Sequence, residues 1–319
     1  MPRVLVTGAA GFIGYALADS LSRQPDTIVC LVDNFVRGER DAAYEDLCSR
    51  DNVTAFELDL TDRRALNVLP ETFDVIFHMA ALNGTQNFYE RPYEVVRCST
   101  LPTFHLLDRY GIGRGLKRFV YAGSSEAYAG TVSAFDWPVP TAEDVPLCIA
   151  DPSNIRWSYG ASKLHGEVTT IAAGTQCDVD YTIIRYHNVY GPRMGDKHVV
   201  PDFLGRMKAG IYSLYGYKDT RSFIYIDDAV RATMMLAECP GAINEIVNVG
   251  SEREISILEL GREMLALAGV DADIELHDSP PGSVARRAPD VAKLKTLVGF
   301  EERWNLVDGL KPTMDYYLK

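Results

Sequence analysis

Short runs of apolar residues alternate with longer amphipathic segments over the first part of the chain. The runs predict β-strands at residues 3–8, 27–33, 53–59, 74–81, 118–124 and 181–188. Each run is almost continuously apolar, and each interval between runs is long enough to contain a helix. This arrangement is typical of a parallel sheet with helices on both faces, so the predicted fold class is α/β with a doubly wound parallel sheet.

The pattern of hydrophobic positions becomes less regular after residue 191. Helices and short apolar segments are predicted at 201–210, from about Ser256, and at 222–237, 245–251 and 273–279. We therefore predict a first domain over residues 1–191 and a smaller C-terminal substrate-binding lobe over residues 192–319. Residues 220–250 are able to return to the first domain.

Glycines follow the first predicted strand at a regular spacing. Gly8, Gly11 and Gly14 stand between that strand and the next helix, where small residues let the backbone approach a pyrophosphate. Asp33, at the end of the second strand, can accept hydrogen bonds from adenosine ribose hydroxyls and would repel a 2′-phosphate. The combination predicts a Rossmann-type dinucleotide site with NAD as the cofactor. Arg37 is close enough to Asp33 in sequence to weaken the predicted preference for NAD over NADP.

Composition and charge narrow the class of protein. Of 319 residues, 47% are hydrophobic and 24% are charged, which indicates a globular chain large enough for one or two domains. A formal net charge of −12 argues against nucleic acid or an acidic membrane as a partner. The N-terminal segment lacks the features of a signal peptide, and no apolar run could span a bilayer, so a cytoplasmic location is expected.

Six cysteines are scattered along the chain without the spacing of a metal site. We expect neither a metal centre nor a disulfide framework. Most of these cysteines are expected to be buried, reduced thiols.

A tyrosine and a lysine, Tyr159 and Lys163, stand four positions apart in the stretch WSYGASK, on one face of a predicted helix. A tyrosine acts as a base at neutral pH only if its pKa lies well below its usual value of about 10. A nearby ammonium group lowers this pKa because it stabilises the phenolate. We therefore expect Lys163 to lower the pKa of Tyr159. The pair alone is weak evidence in a chain with 17 tyrosines, but the glycine loop and Asp33 support it.

The motif TGxxGxxG, together with other segments, resembles the extended short-chain dehydrogenase/reductase family, in its nucleotide-sugar epimerase/dehydratase branch. The other matching segments are ELDLTD, HMAAL, YAGSSEAYA, SYGASK, RYHNVYGPR, TRSFIYIDD and RRAPDV. The resemblance implies an NAD-dependent enzyme that acts on a nucleotide-sugar substrate. It also implies a homodimer, formed by packing the helix that starts near Tyr159 and the helix before it against a second copy.

The resemblance assigns candidate site residues. Tyr159, Lys163, Ser124 and Glu126 would be catalytic, and Tyr159 and Lys163 would also bind the cofactor. The other cofactor-binding candidates are Gly8, Gly11, Phe12, Ile13, Gly14, Asp33, Asn34, Asp59, Leu60, Ala80 and Ala81. The substrate-binding candidates are Ser125, Asn188, His198, Val199, Arg221 and Arg287. Three residues, Ala129, Ser99 and His187, depart from the family's pattern, and we expect each to touch the border of the site.

The step that follows oxidation of the sugar at C4 is left open by the sequence. The leading hypothesis is an NAD-dependent epimerase that works through a transient 4-keto sugar. The alternative is a decarboxylase of UDP-glucuronic acid, or a 4,6-dehydratase, that uses Glu126 and Arg287. Dehydration is disfavoured because Ser125 replaces the family's aspartate before Glu126.

Two further hypotheses concern other roles. Glu126 and His198 could form an acid–base pair for epimerisation at C3 or C5, whereas a simpler role for His198 is contact with the nucleotide. A non-catalytic dinucleotide-binding protein is the alternative from another class. It would have a damaged catalytic set, but Ser124, Tyr159 and Lys163 are all present.

Overall fold

A seven-stranded parallel sheet forms the centre of the fold. The computed structural model describes residues 1–196, 198–279 and 284–319. The strands are β1 (Arg3–Thr7), β2 (Ile28–Asp33), β3 (Val53–Glu57), β4 (Val75–His78), β5 (Arg118–Ser124), β6 (Tyr181–Tyr186), β7 (Val189–Tyr190), β8 (Ser213–Tyr215), β9 (Thr220–Ser222), β10 (Ile224–Tyr225), β11 (Glu245–Val249), β12 (Glu254–Ser256), β13 (Glu275–His277) and β14 (Arg286–Arg287). The helices are α1 (Phe12–Ser22), α2 (Ala42–Cys48), α3 (Thr85–Glu90), α4 (Pro92–Leu106), α5 (Ala129–Phe135), α6 (Ser158–Cys177), α7 (Val199–Lys208), α8 (Ile226–Glu238), α9 (Ile257–Ala268), α10 (Ala292–Val298) and α11 (Leu306–Leu318).

The order of strands in the large sheet is β11-β6-β5-β4-β1-β2-β3, and every neighbouring pair is parallel. The chain therefore runs outward from β1 to β3, crosses back to β4 and continues in the opposite direction. In such a sheet, ligands bind beyond the carboxyl ends of the strands where the order reverses. The predicted fold class, a doubly wound parallel sheet of the Rossmann type, is confirmed.

Burial along the strands explains why their sequences are almost continuously apolar. All six residues of β6 are buried, and so are the last four residues of β1. The edge strand β3 differs, because only Val53 is buried there. The other residues of β3 are half-buried or exposed, in keeping with an edge strand that has a neighbour on one side only.

The segment around β11 joins the large sheet from the later part of the chain. Residues Glu245–Val249 pair in parallel with Thr182–Tyr186 of β6. The preceding helix, α8, packs against α1 of the first half. Asn248 of β11 adds side-chain hydrogen bonds, because its Nδ2 donates to the carbonyls of Thr141 and Asp290 at 3.1 and 3.0 Å.

The later part of the chain, apart from β11, forms small sheets. A three-stranded sheet has the order β12-β9-β14, and two-stranded sheets join β13 to β8 and β10 to β7. Helix α9 begins at Ile257 with Ser256 as its N-cap, and the Ser256 side chain and Glu259 form a reciprocal capping box. The helix predicted from about Ser256 is therefore present.

Two properties of the chain as a whole were also predicted. All six cysteines are free thiols, but the expectation that most are buried is wrong, since Cys30 is buried and the other five are half-buried. Among the residues with described positions, no helix is both long and apolar enough to cross a lipid bilayer.

Candidate active site

A cavity of about 790 Å³ opens beyond the carboxyl ends of the central strands. Its wall contains residues from the glycine loop, from the loops after β2, β3, β4 and β5, from α6, and from the C-terminal lobe. Of the predicted site residues, the wall includes Gly8, Gly11, Phe12, Ile13, Gly14, Asp33, Asn34, Asp59, Leu60, Ala80, Ala81, Ser124, Ser125, Glu126, Tyr159, Lys163, Asn188, His198 and Arg287. Two predicted substrate residues, Val199 and Arg221, are not part of the wall that the described residues form.

The glycine loop leaves no room for side chains. Gly8 has φ of +67°, and a Cβ at this position would lie 2.8 Å from Ala80 Cα. A Cβ at Gly14 would lie 2.0 Å from the carbonyl oxygen of Gly8. Gly11 is the N-cap residue of α1, so the free N–H groups of that helix face the cavity end of the loop. This is a cradle that fits a pyrophosphate.

Asp33 is fixed at the end of β2 by two backbone donors. Its carboxylate accepts hydrogen bonds from the N–H of Ala10 at 2.9 Å and from the N–H of Phe35 at 2.8 Å. The carboxylate therefore lies next to the glycine loop, where it suits ribose hydroxyls and repels a 2′-phosphate. The guanidinium of Arg37 does not lie beside the Asp33 carboxylate, because the charged groups near it are Tyr159 and Asp196. The cavity thus fits NAD.

Tyr159 is buried in the first turn of α6. Its ring stacks on Phe88, with ring centroids 5.1 Å apart and the planes 14° apart. Burial raises the pKa of Tyr159 above its ordinary value, and nearby Glu126 adds to that effect. The positive charge of Arg37 and a hydrogen bond with Ser124 lower the pKa but do not compensate.

Lys163 lies one helical turn after Tyr159 and is also buried. Its Nζ donates a 2.7 Å hydrogen bond to the carbonyl of Ala122 and lies 5.7 Å from the centre of the Tyr159 ring. Burial lowers the pKa of Lys163 to about 8, although the nearby Glu167 carboxylate opposes the shift. The prediction that Lys163 lowers the pKa of Tyr159 is wrong for this structure, since that pKa is raised and the cation acting on it is Arg37.

Glu126 is held between two arginines. Its Oε1 lies 2.8 Å from Arg287 Nη1, and its Oε2 lies 3.4 Å from Arg156 Nη1. All three side chains are between 13% and 16% exposed, so water screens the ion pairs only partly. Burial alone would raise the pKa of Glu126, but the attraction of Arg287 and Arg156 outweighs it and the pKa is lowered. Glu126 is therefore an ionised carboxylate and a weak base.

Arg221 lies behind Arg287 rather than in the cavity wall. The two residues are opposite each other in the parallel pair β9–β14. The Arg221 guanidinium donates to the carbonyls of Thr220 and Ala285 at 2.8 and 3.2 Å, so part of its donor capacity is used by the backbone. Burial, followed by repulsion from Arg287, lowers the pKa of Arg221 to about 10.

The loop between β7 and α7 brings His198 to the cavity. His198 is the N-cap residue of α7, and Val199 is the first residue of that helix. Burial, followed by the positive charge of Arg37, lowers the pKa of His198 to about 4. On the segment that precedes this loop, Asn188 has a φ of +37°. Its Nδ2 donates a hydrogen bond of 2.9 Å to the carbonyl of Ser222.

The three residues that depart from the family's pattern lie behind the site. Ala129 and Ser99 are buried, and His187 is buried with its Nε2 3.2 Å from Asn248 Oδ1. None of them belongs to the cavity wall that the described residues form, so the expectation that each touches the border of the site is wrong. Sequence reasoning instead missed Phe88 and Arg156, which contact Tyr159 and Glu126. Arg156 stands three residues before Tyr159, but nothing in that spacing indicates its direction.

This site combines a phosphate cradle with a tyrosine and a lysine on one helix, which is the arrangement of nicotinamide-dependent enzymes of the short-chain dehydrogenase/reductase type. Comparison with known proteins indicates the same class of enzyme. A model of the NAD dependent epimerase/dehydratase family matches residues 4–250, and the chain belongs to that family. It is an enzyme family whose cofactor is NAD.

Individual relatives carry out different reactions. UDP-N-acetyl-alpha-D-glucosaminuronate decarboxylase of Bacillus cytotoxicus is 32% identical over 99% of this chain and 97% of its own length. UDP-glucose 4-epimerase of Mycolicibacterium smegmatis is 30% identical over 99% of this chain and 98% of its own. Among solved structures, a mutant of UDP-glucuronic acid 4-epimerase from Bacillus cereus, in complex with NAD and a fluorinated UDP-glucuronic acid, is similar with a TM-score of 0.87. It is 25% identical, and the match covers 99% of both chains.

Proposed function

We propose that this enzyme oxidises a UDP-linked uronic acid at C4 and then removes its carboxyl group as carbon dioxide. The observation that carries the proposal is the Glu126–Arg287 ion pair of 2.8 Å in the wall of the cavity that also contains Tyr159. With Arg156 and Arg221 nearby, three guanidinium groups stand against two carboxylates, those of Glu126 and Asp219. The excess positive charge suits a substrate that carries a carboxylate as well as a diphosphate.

The first step is common to all reactions considered. Gly8, Gly11 and Gly14 would hold the pyrophosphate of NAD, and Asp33 would hold its adenosine ribose. Bound NAD would supply the acceptor for the hydride released at C4 and the donor that returns it, so the cycle would be redox-neutral. Tyr159, hydrogen-bonded to Ser124, would take the proton of the C4 hydroxyl. Burial raises the pKa of Tyr159 and opposes this role, whereas the positive charge of Arg37 and the Ser124 hydrogen bond favour the phenolate.

The second step depends on the carboxyl group at C5 of the sugar. Once C4 is a ketone, this carboxylate belongs to a β-keto acid. The bond from C5 to the carboxyl carbon breaks, carbon dioxide leaves, and the electron pair moves onto the C4 oxygen as an enolate. Tyr159 carries the proton from the first step and donates a hydrogen bond to that oxygen. A proton from water is then added at C5. The hydride removed in the first step returns to C4 and Tyr159 gives back its proton, so the ketone becomes the hydroxyl of the decarboxylated UDP-sugar.

Arg287 has a defined task in this step. Its guanidinium is held by Glu126 and Arg287 lies in the cavity wall, so its remaining Nη donors would meet a substrate carboxylate from a fixed position. A fixed cation there stabilises negative charge as it moves from the carboxylate to the enolate. Glu126 acts as the positioning residue for Arg287 and does not need to exchange a proton, in agreement with its lowered pKa.

Epimerisation at C4, the leading hypothesis from the sequence, is the second candidate function. It uses the same first step and returns the hydride to the other face of the ketone, and the relative from Mycolicibacterium smegmatis supports it. Epimerisation at C3 or C5 with Glu126 as base is disfavoured, because an ionised carboxylate held by two guanidinium groups binds a proton weakly.

The experiment that tests the proposal is incubation of NAD-loaded enzyme with UDP-glucuronic acid and with UDP-N-acetylglucosaminuronic acid. We expect one of them to release carbon dioxide, with formation of a UDP-pentose from UDP-glucuronic acid or of a UDP-acetamidopentose from UDP-N-acetylglucosaminuronic acid, measured by gas release and mass spectrometry. Formation of a C4 epimer without carbon dioxide would overturn decarboxylation and establish the second candidate. The variant Tyr159→Phe should lose turnover and still bind NAD.

The pairing of two copies of the chain through α4 and α6 stays a prediction.

A further inference from the structure

Arg37 extends from the loop after β2 toward the substrate end of the cavity. It is part of the cavity wall and its side chain is exposed to the cavity. Within residues 1–196, 198–279 and 284–319, its guanidinium makes neither a hydrogen bond nor an ion pair. By contrast, the other arginines at this end of the site, Arg156, Arg221 and Arg287, all have protein partners.

Two glycines from distant parts of the chain make space for this guanidinium. Gly195 lies in the loop before α7, and a Cβ there would lie 2.7 Å from Arg37 Nη2. Gly84, with φ of +115°, lies in the loop after β4, and a Cβ there would lie 3.9 Å from Arg37 Cζ. The guanidinium therefore lies where the two loops meet, on the same side of the cavity as Tyr159.

We propose that Arg37 binds an anionic oxygen of a ligand, either the pyrophosphate of NAD or the carboxylate or diphosphate of the nucleotide sugar, between the loops at Gly84 and Gly195. The proposal follows from chemistry, because a planar guanidinium without a protein partner is matched by two oxygens of a phosphate or carboxylate. It rests on the proposed function only for the identity of the sugar substrate.

A second effect supports this position. Arg37 is the strongest charged influence on the pKa of Tyr159, which it lowers against the effect of burial, and it also lowers the pKa of His198. The remaining charged group near the guanidinium is Asp196. Arg37 thus stabilises the phenolate form of Tyr159 from the cavity side, whereas Lys163 Nζ donates to the Ala122 carbonyl.

The test uses binding rather than turnover, so it does not depend on the fate of the 4-keto sugar. Titration calorimetry of the cofactor-stripped protein with NAD forms one arm. The other arm is binding of UDP-glucuronic acid to NAD-loaded Tyr159→Phe protein. We expect Arg37→Met to weaken the binding measured in one arm by about tenfold or more, as for loss of a hydrogen bond to a charged group. Arg37→Lys should weaken that binding less. The weakened arm identifies the source of the anion.

The matched control is Arg40→Met, since Arg40 pairs with Glu45 and Glu57 outside the cavity. Binding within twofold of wild type in both arms for Arg37→Met would overturn the proposal. Titration of Tyr159, taken as the difference in ultraviolet absorbance between each protein and its Tyr159→Phe counterpart, adds an independent readout. Arg37→Met should move the ionisation of the phenol to higher pH, and an unchanged ionisation would contradict the position assigned to the guanidinium.

A glycine variant tests the same position without altering Arg37. Gly195→Ala should fold normally, because the atom that its Cβ would meet is the end of a flexible side chain, but the guanidinium must move. We expect Gly195→Ala to weaken the same arm as Arg37→Met. Gly205→Ala is the control, since a Cβ there meets nothing within 4 Å. Weakening of the other arm by Gly195→Ala would also contradict the proposal.

Discussion

Glu167 and Arg185 form a bidentate, buried ion pair between β6 and α6, the helix that carries Tyr159 and Lys163. Arg185 Nε and Nη2 donate to the Glu167 carboxylate at 3.0 and 2.8 Å, and both side chains are 2% exposed. Glu167 lies one turn after Lys163 on α6, and Arg185 lies on β6, so the pair ties the helix to the sheet. Arg185 also donates to Tyr128 Oη at 2.6 Å.

Removal of the charge of Glu167 should therefore destabilise the fold strongly. Glu167→Gln leaves Arg185 as a buried charge without a counter-ion, and we expect the free energy of unfolding to fall by about 3–5 kcal/mol. Urea denaturation followed by circular dichroism measures this. The control is Glu252→Gln, which disrupts the exposed pair with Lys295 and should cost less than about 1 kcal/mol. Equal losses in the two variants would contradict the prediction.

Replacement of Lys163 by Met should abolish turnover and stabilise the protein at neutral pH. Because the folded-state pKa of Lys163 is lowered to about 8 from 10.5, the folded state disfavours the ammonium, and the full cost is present below pH 8. The cost disappears as the pH rises from 8 to about 10.5. We expect Lys163→Met to be more stable than wild type by about 2 kcal/mol at about pH 7, and by less at about pH 9.5. Urea denaturation at the two pH values checks this, and a difference that does not change with pH would count against it.

The Glu126 carboxylate should matter for turnover and not for the cofactor. Glu126→Gln weakens the grip on Arg287, so we expect kcat with the accepted UDP-uronic acid to fall by about 10²-fold while NAD stays bound. The matched control is Glu254→Gln, because Glu254 pairs with Arg286 at 2.7 Å outside the cavity wall. A kcat for Glu126→Gln within threefold of wild type would exclude the assigned role.

His198 should act in binding and not as an acid. With its pKa lowered to about 4, mainly by burial, the imidazole is neutral between pH 6 and 8. We expect His198→Asn to raise KM for the nucleotide sugar by about 2–10-fold, the effect of one hydrogen bond, with kcat nearly unchanged. A steady-state pH profile checks this. Loss of kcat without change in KM would show instead that His198 transfers a proton.

Local patterns made much of the fold and part of the site predictable. The apolar runs of β1, β2, β4, β5 and β6 are nearly continuous because both faces of the sheet are covered there, and the glycine loop follows β1 directly. Tyr159 and Lys163 share a face because four residues make about one turn of a helix. Each of these features depends on neighbours in sequence.

Other parts of the site depend on contacts between distant segments and were not predictable. The raised pKa of Tyr159 results from burial against Phe88 and neighbouring groups, which no spacing in the sequence indicates. Glu126 is ionised because Arg287 and Arg156 meet it from different parts of the chain. The direction of Arg37 depends on the space left at Gly84 and Gly195.

The pairing of β11 with β6 has a structural consequence. The chain leaves the large sheet after β6, returns to it as β11 and then leaves it again for β12 to β14. Several segments of the backbone therefore connect the large sheet to the small sheets of the later part of the chain. The loops at Gly84 and Gly195, which lie far apart in sequence, therefore line one cavity and meet the same guanidinium, that of Arg37.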